Sequence, residues 1–213
     1  SEIISHFSQD VVSEPYVRAG TAELVSRNWF NPNLLYYWFN IPSLVSTLSM
    51  LTCLIITSIA IARERELGTF DQLLVSPMLP IEILLGKALA GILVGVLEGL
   101  IMVAAGILLF QVPFTGSFVL FLISLFVFIF SICGMGLFVS SLSSTQQQAM
   151  LGTFTFTVPS ILLSGFATPV ENMPEWLQWV SYGIPLRYML VIAKGIFLKA
   201  LPLTAVLDNL WQI

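Results

Sequence analysis

Residues 99–170 of this 213-residue chain, 72 in succession, contain no Asp, Glu, Lys or Arg. A water-facing surface cannot be built from such a run, because charged side chains supply much of the exterior of a soluble domain. Hydrocarbon has the opposite demand: it excludes charge and requires every backbone amide to be bonded inside its own segment, which favours helices. The run therefore predicts an all-α, polytopic membrane protein. Composition agrees, with 57% hydrophobic residues and 9% charged, against about 25% charged in ordinary globular chains. Eight basic against 12 acidic side chains give a net charge of −4, the wrong sign for a nucleic-acid partner.

A spanning helix needs about 20 mostly apolar residues. Four stretches qualify: 41–62, ended by Arg63-Glu64-Arg65-Glu66; 83–110, ended by Gln111-Val112-Pro113; 118–139, ended by a serine-rich turn; and 148–167, which follows Gln146-Gln147-Gln148 and carries Pro159. Residues 168–200 are broken by Pro169, Pro174 and Pro185 and carry Arg187, Lys194 and Lys199. They read as interfacial or re-entrant helices over 175–180 and 186–198, with Trp176 and Trp179 on one face. Residues 201–213 resemble the start of another span. Residues 1–40 hold a water-facing mixture of charges followed by Trp29, Phe30, Tyr36, Tyr37, Trp38 and Phe39. That aromatic cluster reads either as a membrane-entry belt or as a remnant of a soluble core. The chain starts at Ser1, shows no signal peptide, and is expected to be a fragment.

No phosphate loop, metal-spaced His/Cys/carboxylate group or catalytic serine motif is present, so no ATPase activity or cofactor is expected from this chain. Cys53 and Cys133 lie in apolar runs and read as small hydrophobes. Three other features carry alternatives. Gly91, Gly95 and Gly99 form a small-xxx-small ridge, a helix-packing face. Glu98 at its edge is an intramembrane carboxyl, either a proton or substrate site or a structural hydrogen-bonding group. Gln146, Thr153, Thr157, Ser160 and Ser164 fall within roughly 40° of one helical face, as lining of a translocation path or as packing hydroxyls that bond their own helix. In the loop after the first span, Leu67, Phe70, Leu73 and Leu74 recur with helical spacing and leave Arg65, Glu66 and Asp71 to water. This is suited to docking in a partner's groove, or to serving as a solvated connector. Basic residues alone do not fix orientation. Arg63 and Arg65, which abut a span end, favour that loop on the cytoplasmic side, whereas raw counting favours the reverse.

The loop reads Arg63-Glu64-Arg65-Glu66-x-Gly68-Thr69-x-x-Gln72-Leu73-Leu74-x-Ser76-Pro77, followed by Glu82 and Gly86-Lys87. It closely resembles the first cytoplasmic loop of the type-2 ATP-binding-cassette (ABC) exporter permeases. Asn31-Pro32-Asn33, Ile41-Pro42, Gln146-Gln147-Gln148-Ala149, Ser164-Gly165-Phe166 and Pro185-Leu186-Arg187-Tyr188 fall at family-like positions, so the resemblance covers about residues 28–213. It implies a six-helix subunit of a bacterial inner (plasma) membrane that pairs with a second permease, like or unlike. Two cytosolic ATPase subunits would bind the ATP and Mg. Arg63, Glu64, Arg65, Glu66, Gly68, Thr69 and Gln72 would form the coupling helix. The four spans become helices two to five, residues 1–40 the tail of an extracytoplasmic domain, and 168–200 an extracytoplasmic re-entrant element. Members with such a domain resemble exporters of drugs or small amphiphiles. Rival readings are a proton-coupled secondary transporter using Glu98 and a non-transporting membrane assembly protein.

Overall fold

The computed structural model describes residues 35–213; Trp29, Phe30, Asn31-Pro32-Asn33 and the remainder of the expected extracytoplasmic tail lie outside the described residues. The first helix, α1 (Tyr36–Glu66), has 31 residues, about 46 Å at 1.5 Å per residue. It overruns a hydrocarbon core of about 30 Å, and its two surplus ends differ in chemistry. Tyr36, Tyr37 and Phe39 are exposed at the start, and Arg63 to Glu66 form the charged last turns. After a three-residue break comes the six-residue α2 (Phe70–Val75), then α3 (Pro80–Leu108) and α4 (Phe118–Leu142). Pro80 occupies the first position of α3, where its missing N–H is no loss. The Glu82 carboxylate accepts from the Leu79 amide at 2.8 Å and closes the same end.

α5 (Gln146–Leu163) is shorter than the expected span of 148–167. Its first turn is spent on three glutamines, and Gly165 takes a left-handed backbone (φ +86°) that stops the helix early. At 18 residues it rises about 27 Å. Among the described residues, three helices (α1, α3 and α4) are therefore long and apolar enough to cross a membrane. A fourth span exists only if α6 (Glu175–Ser181) and α7 (Pro185–Lys199) count as one, and these two are bent by 80° at the residues between them. The proline-punctuated segment thus forms two helices near the positions that its sequence suggests. α8 (Leu203–Leu210) follows, and the Ile213 carbonyl after it accepts from Ser131 in mid-α4 at 2.9 Å.

α1 is the centre of the packing, with α3, α4, α5 and α7 laid against it. Over its most apolar stretch 56% of residues are buried, against 33% in α3 and 39% in α4. Lipid tails are as apolar as leucine, so burial of oily surface does not by itself join helices in a bilayer; close backbone approach does. The glycine ridge supplies it. A methyl placed on Gly95 would lie 3.2 Å from both Cys53 of α1 and Ile129 of α4. On Gly99 it would come within 2.9 Å of the Ser49 hydroxyl and 2.7 Å of Leu125, and on Gly91 it would collide with Thr57. Gly136 of α4 meets the same threonine from the other side. Hydroxyls buried along α1, Ser49 excepted, bond their own helix: Thr47 donates to the Ser43 carbonyl at 2.9 Å and Thr57 to the Cys53 carbonyl at 2.7 Å. Cys53 and Cys133 are buried free thiols.

The far end of the bundle is closed by rings. Phe114, in the α3–α4 connection, stacks edge-on to Phe197 of α7 at 4.9 Å, and Phe197 meets Phe121 of α4 at 5.8 Å. The Thr115 and Gly116 amides donate to the Phe197 and Ile196 carbonyls at 3.2 and 2.9 Å. The outward sides of α3 and α4, including Leu89, Leu93, Ile101, Phe126, Phe130 and Phe138, are apolar and exposed, as a lipid-facing surface requires.

Replacing Gly99 by valine should destabilise the solubilised protein by about 1–3 kcal/mol through overpacking. The same replacement at Gly134, where nothing lies within 4 Å, should leave the thermal unfolding midpoint in detergent unchanged.

Candidate functional site

The charged turn at the end of α1 is where the chain's polar chemistry converges. Helix α1 stops in a Schellman geometry: the Thr69 amide reaches the Glu64 carbonyl at 3.0 Å, and the Gly68 amide reaches the Arg65 carbonyl at 3.1 Å. Gly68 carries the left-handed residue this requires (φ +70°), a conformation costly for any side chain with a Cβ. Residues 67–69 therefore separate α1 from α2. Leu67 is exposed and Phe70 half-buried. The side chains of Leu73 and Leu74, the rest of the expected apolar stripe, lie outside the described residues.

Each residue from Glu64 to Glu66 ties α1 to a different element. Glu64 accepts from the Thr69 hydroxyl and from Lys87 of α3, whose Nζ stands 3.0 Å from the carboxylate. The same ammonium donates to the Ala60 carbonyl at 2.8 Å, so it bridges two helices. Arg65 turns the other way and donates to the carbonyls of Ser141 at 2.6 Å and Ser143 at 3.3 Å. These lie at the C-terminal end of α4, where a cation meets the negative pole of the helix. Its guanidinium also sits 5.1 Å over the Phe70 ring, which anchors α2 beneath it. The Glu66 carboxylate accepts from the Gln146 amide at 2.8 Å, at the positive N-terminal pole of α5. Arg63, Asp71 and Gln72 remain exposed, and the Gln72 amide donates to the Thr69 carbonyl at 3.1 Å. A cleft of about 200 Å³ opens beside the turn, bounded by Ile61, Arg65, Phe70, Ile83 and Lys87.

The other candidates lie elsewhere. Thr153, Thr157, Ser160 and Ser164 are all buried within this chain. Thr153 donates to Ser58 of α1 at 2.7 Å and to the Ala149 carbonyl, while Ser160 and Ser164 donate to Phe156 and Ile161 of their own segment. Gln146 joins the charged turn through its amide rather than the stripe through its side chain. Glu98 is half-buried, and its Oε2 is a buried oxygen with no hydrogen-bond partner among the described residues, as are the hydroxyls of Ser49 and Thr157. A groove of about 550 Å³ between α3 and α4 is wholly apolar, lined among others by Leu93, Leu97, Ile123 and Phe126.

With this geometry in place, comparison with known proteins is decisive. The sequence profile described as ABC-2 type transporter matches residues 17–198. The chain belongs to the ABC-2 type transporter family. As a member it resembles the probable multidrug ABC transporter permease YbhR of Escherichia coli strain K12, with 44% identity over 212 residues, all of this chain and 57% of that protein. The probable multidrug ABC transporter permease YbhS of the same strain is 32% identical over 90% of this chain and 51% of its own length. The inner membrane transport permease YhhJ is 32% identical over 88% and 49%. The chain thus spans about half the length of the curated relatives it matches. No solved structure matches it.

Sequence reasoning singled out this ABC-2 loop but not the partners that hold it. Lys87 is 23 residues from Glu64, and Ser141 is 76 from Arg65. No local spacing rule connects such positions; a charge at a helix end was the single available signal. Substituting Glu66 by alanine should speed hydrogen exchange at the Gln146 amide, whereas Gln72→Ala should leave it unchanged. Gly68→Ala should cost about 1–2 kcal/mol at the turn, seen as faster exchange at the Gly68–Thr69 amides than in Gly86→Ala.

Proposed function

We propose that this chain is the core of the permease subunit of an ATP-driven exporter in a bacterial inner membrane, with a second permease and separate ATPase subunits that bind the ATP and Mg. The observation that carries the reading is the charged turn. One short segment touches α2 through Arg65 over Phe70 and is bonded to α3 through Lys87, to the end of α4 through Arg65 and to the start of α5 through Glu66. A push on α2 from a cytosolic motor would be distributed to every long helix at once. Arg63, Asp71 and Gln72 stay exposed for that contact. Family membership and the names of the relatives support the reading, and drugs or small amphiphiles are the proposed cargo because two of those names specify multidrug permeases.

In this mechanism Glu64 and Thr69 hold the loop in shape, Arg65 and Glu66 carry its displacement into the α4–α5 hairpin, and alternating access follows as that hairpin rocks about α1. The stripe from Thr153 to Ser164 would act as the sliding seam against α1 and would reach the path when the hairpin moves. In the full-length complex, Glu66→Ala combined with Thr69→Ala should lower substrate-stimulated ATPase by about tenfold, near 1.4 kcal/mol of coupling, at unchanged expression. Wild-type coupling in that variant would remove the assignment, and purification of the intact permease without a stoichiometric ATPase would remove the exporter reading altogether.

A second reading rests on Glu98. An intramembrane carboxyl with an unpartnered buried oxygen suits a proton-coupled carrier. That carrier would be driven by a pH gradient without ATP, and Glu98→Gln should abolish its transport; an exporter driven by ATP should retain most of its transport in the same variant.

A further inference from the structure

Two cations on α7 lack, among the described residues, the counter-charge that their surroundings call for. Arg187 and Lys194 are seven residues apart, two turns along one face, and both are half-buried. Among the described residues the one ion pair within 4.0 Å is Lys87–Glu64, so neither cation meets a carboxylate of those residues. Each is instead held by neutral groups. Arg187 donates to the Ser181 hydroxyl at 2.5 Å and lies 4.3 Å over the Tyr182 ring. Lys194 lies 3.7 Å over the ring of Phe39. The acids nearest in sequence, Glu175 for Arg187 and Asp208 for Lys194, are exposed and pair with neither. A π-face offsets about 0.5–2 kcal/mol of a cation's desolvation, less than an anion would. Arg187 also stands in the first turn of α7, where the helix dipole opposes a positive charge.

The surroundings indicate what the missing anion is attached to. Phe39 is in the first turn of α1, so Lys194 sits at the end of the bundle opposite the charged turn. Tyr182 leads outward to Trp179, ring centroids 6.0 Å apart, and Trp176 and Trp179 are 66% and 76% exposed. Indoles exposed on a membrane protein favour the headgroup level of the bilayer. A guanidinium backed by a tyrosine, with two indoles beside it and a lysine two turns along, is complementary to a phosphodiester that carries acyl chains; a freely soluble anion would have no use for the indoles.

We propose that the α6–α7 bend binds an anionic phospholipid of the leaflet opposite the charged turn, with its phosphate on Arg187, Lys194 holding the same face positive, and Trp176 and Trp179 against its glycerol and upper acyl carbons. The inference needs membrane residence alone and stands whether or not the exporter reading does.

The test uses the full-length permease in mixed micelles titrated with phosphatidylglycerol or phosphatidylcholine bearing brominated acyl chains, read as quenching of tryptophan fluorescence. The wild type should be half-quenched at an about fivefold lower mole fraction of phosphatidylglycerol than of phosphatidylcholine, the ratio set by about 1 kcal/mol for the one basic group placed on the phosphate, Arg187. Arg187→Gln should abolish that preference and Arg187→Lys should keep most of it. Should Arg187→Gln fail to fold, Lys194→Gln must still cut the preference by about half. Equal quenching by the two lipids in the wild type, or a preference untouched in both glutamine variants, overturns the proposal. Complete displacement of brominated phosphatidylglycerol by inorganic phosphate overturns it as well, because the site would then select a free anion.

Discussion

Thr57 marks the place on which the rest of the bundle depends, for there three backbones come as close as side chains allow. Gly91 of α3 lies against it from one side and Gly136 of α4 from the other. In a bilayer oily surface is no reason for helices to associate, so van der Waals contact between closely approached backbones must do it. The hydroxyl at this crossing is bonded to Cys53 of its own helix, which lets a polar side chain serve as a small packing residue. With α1 clasped in this way, α5 and α7 can only pack on its remaining faces.

The central position of α1 explains why the charged turn matters. A helix of 31 residues must project beyond the hydrocarbon, and because this one lies at the middle, its projecting end lies between the ends of its neighbours. Their unbonded carbonyls and amides are then within reach of Arg65 and Glu66, with the sign of each charge matched to the pole it meets. The same turn would be only a solvated connector on a peripheral helix. Its geometry also gives Gly68 a specific duty, since a left-handed residue is what allows the chain to double back and bring Thr69 onto Glu64.

Polar atoms inside the bundle are treated unequally. Among the described residues Thr153, Ser160 and Ser164 find oxygen partners nearby, whereas Ser49, Thr157 and one Glu98 oxygen do not. Satisfied hydroxyls stabilise a seam between helices; unsatisfied ones lower the cost of moving it, because a rearranged state has bonds to gain. Along α5, Thr157 stands between satisfied neighbours at 153 and 160, so the hairpin's contact with α1 has strong points separated by a weak one.

The uncharged run of 72 residues and the charged stop at 63–66 were sufficient to determine an all-helical membrane chain, and the loop at 63–77 carried the resemblance to the family whose profile matches the chain. Those properties depend on the local solvent each residue can tolerate, and sequence carries that information directly. The early end of α5 was less legible, since it turns on the backbone angle of Gly165 and on glutamines that occupy a helix without contributing apolar length. What the tertiary structure alone decided was partnership. That Glu64 meets Lys87, that Arg65 and Glu66 close the facing ends of α4 and α5, and that Arg187 and Lys194 face rings rather than acids depend on which helix lies beside which. Helix neighbours are chosen by glycine and threonine contacts far along the chain, and no periodicity within one segment encodes them.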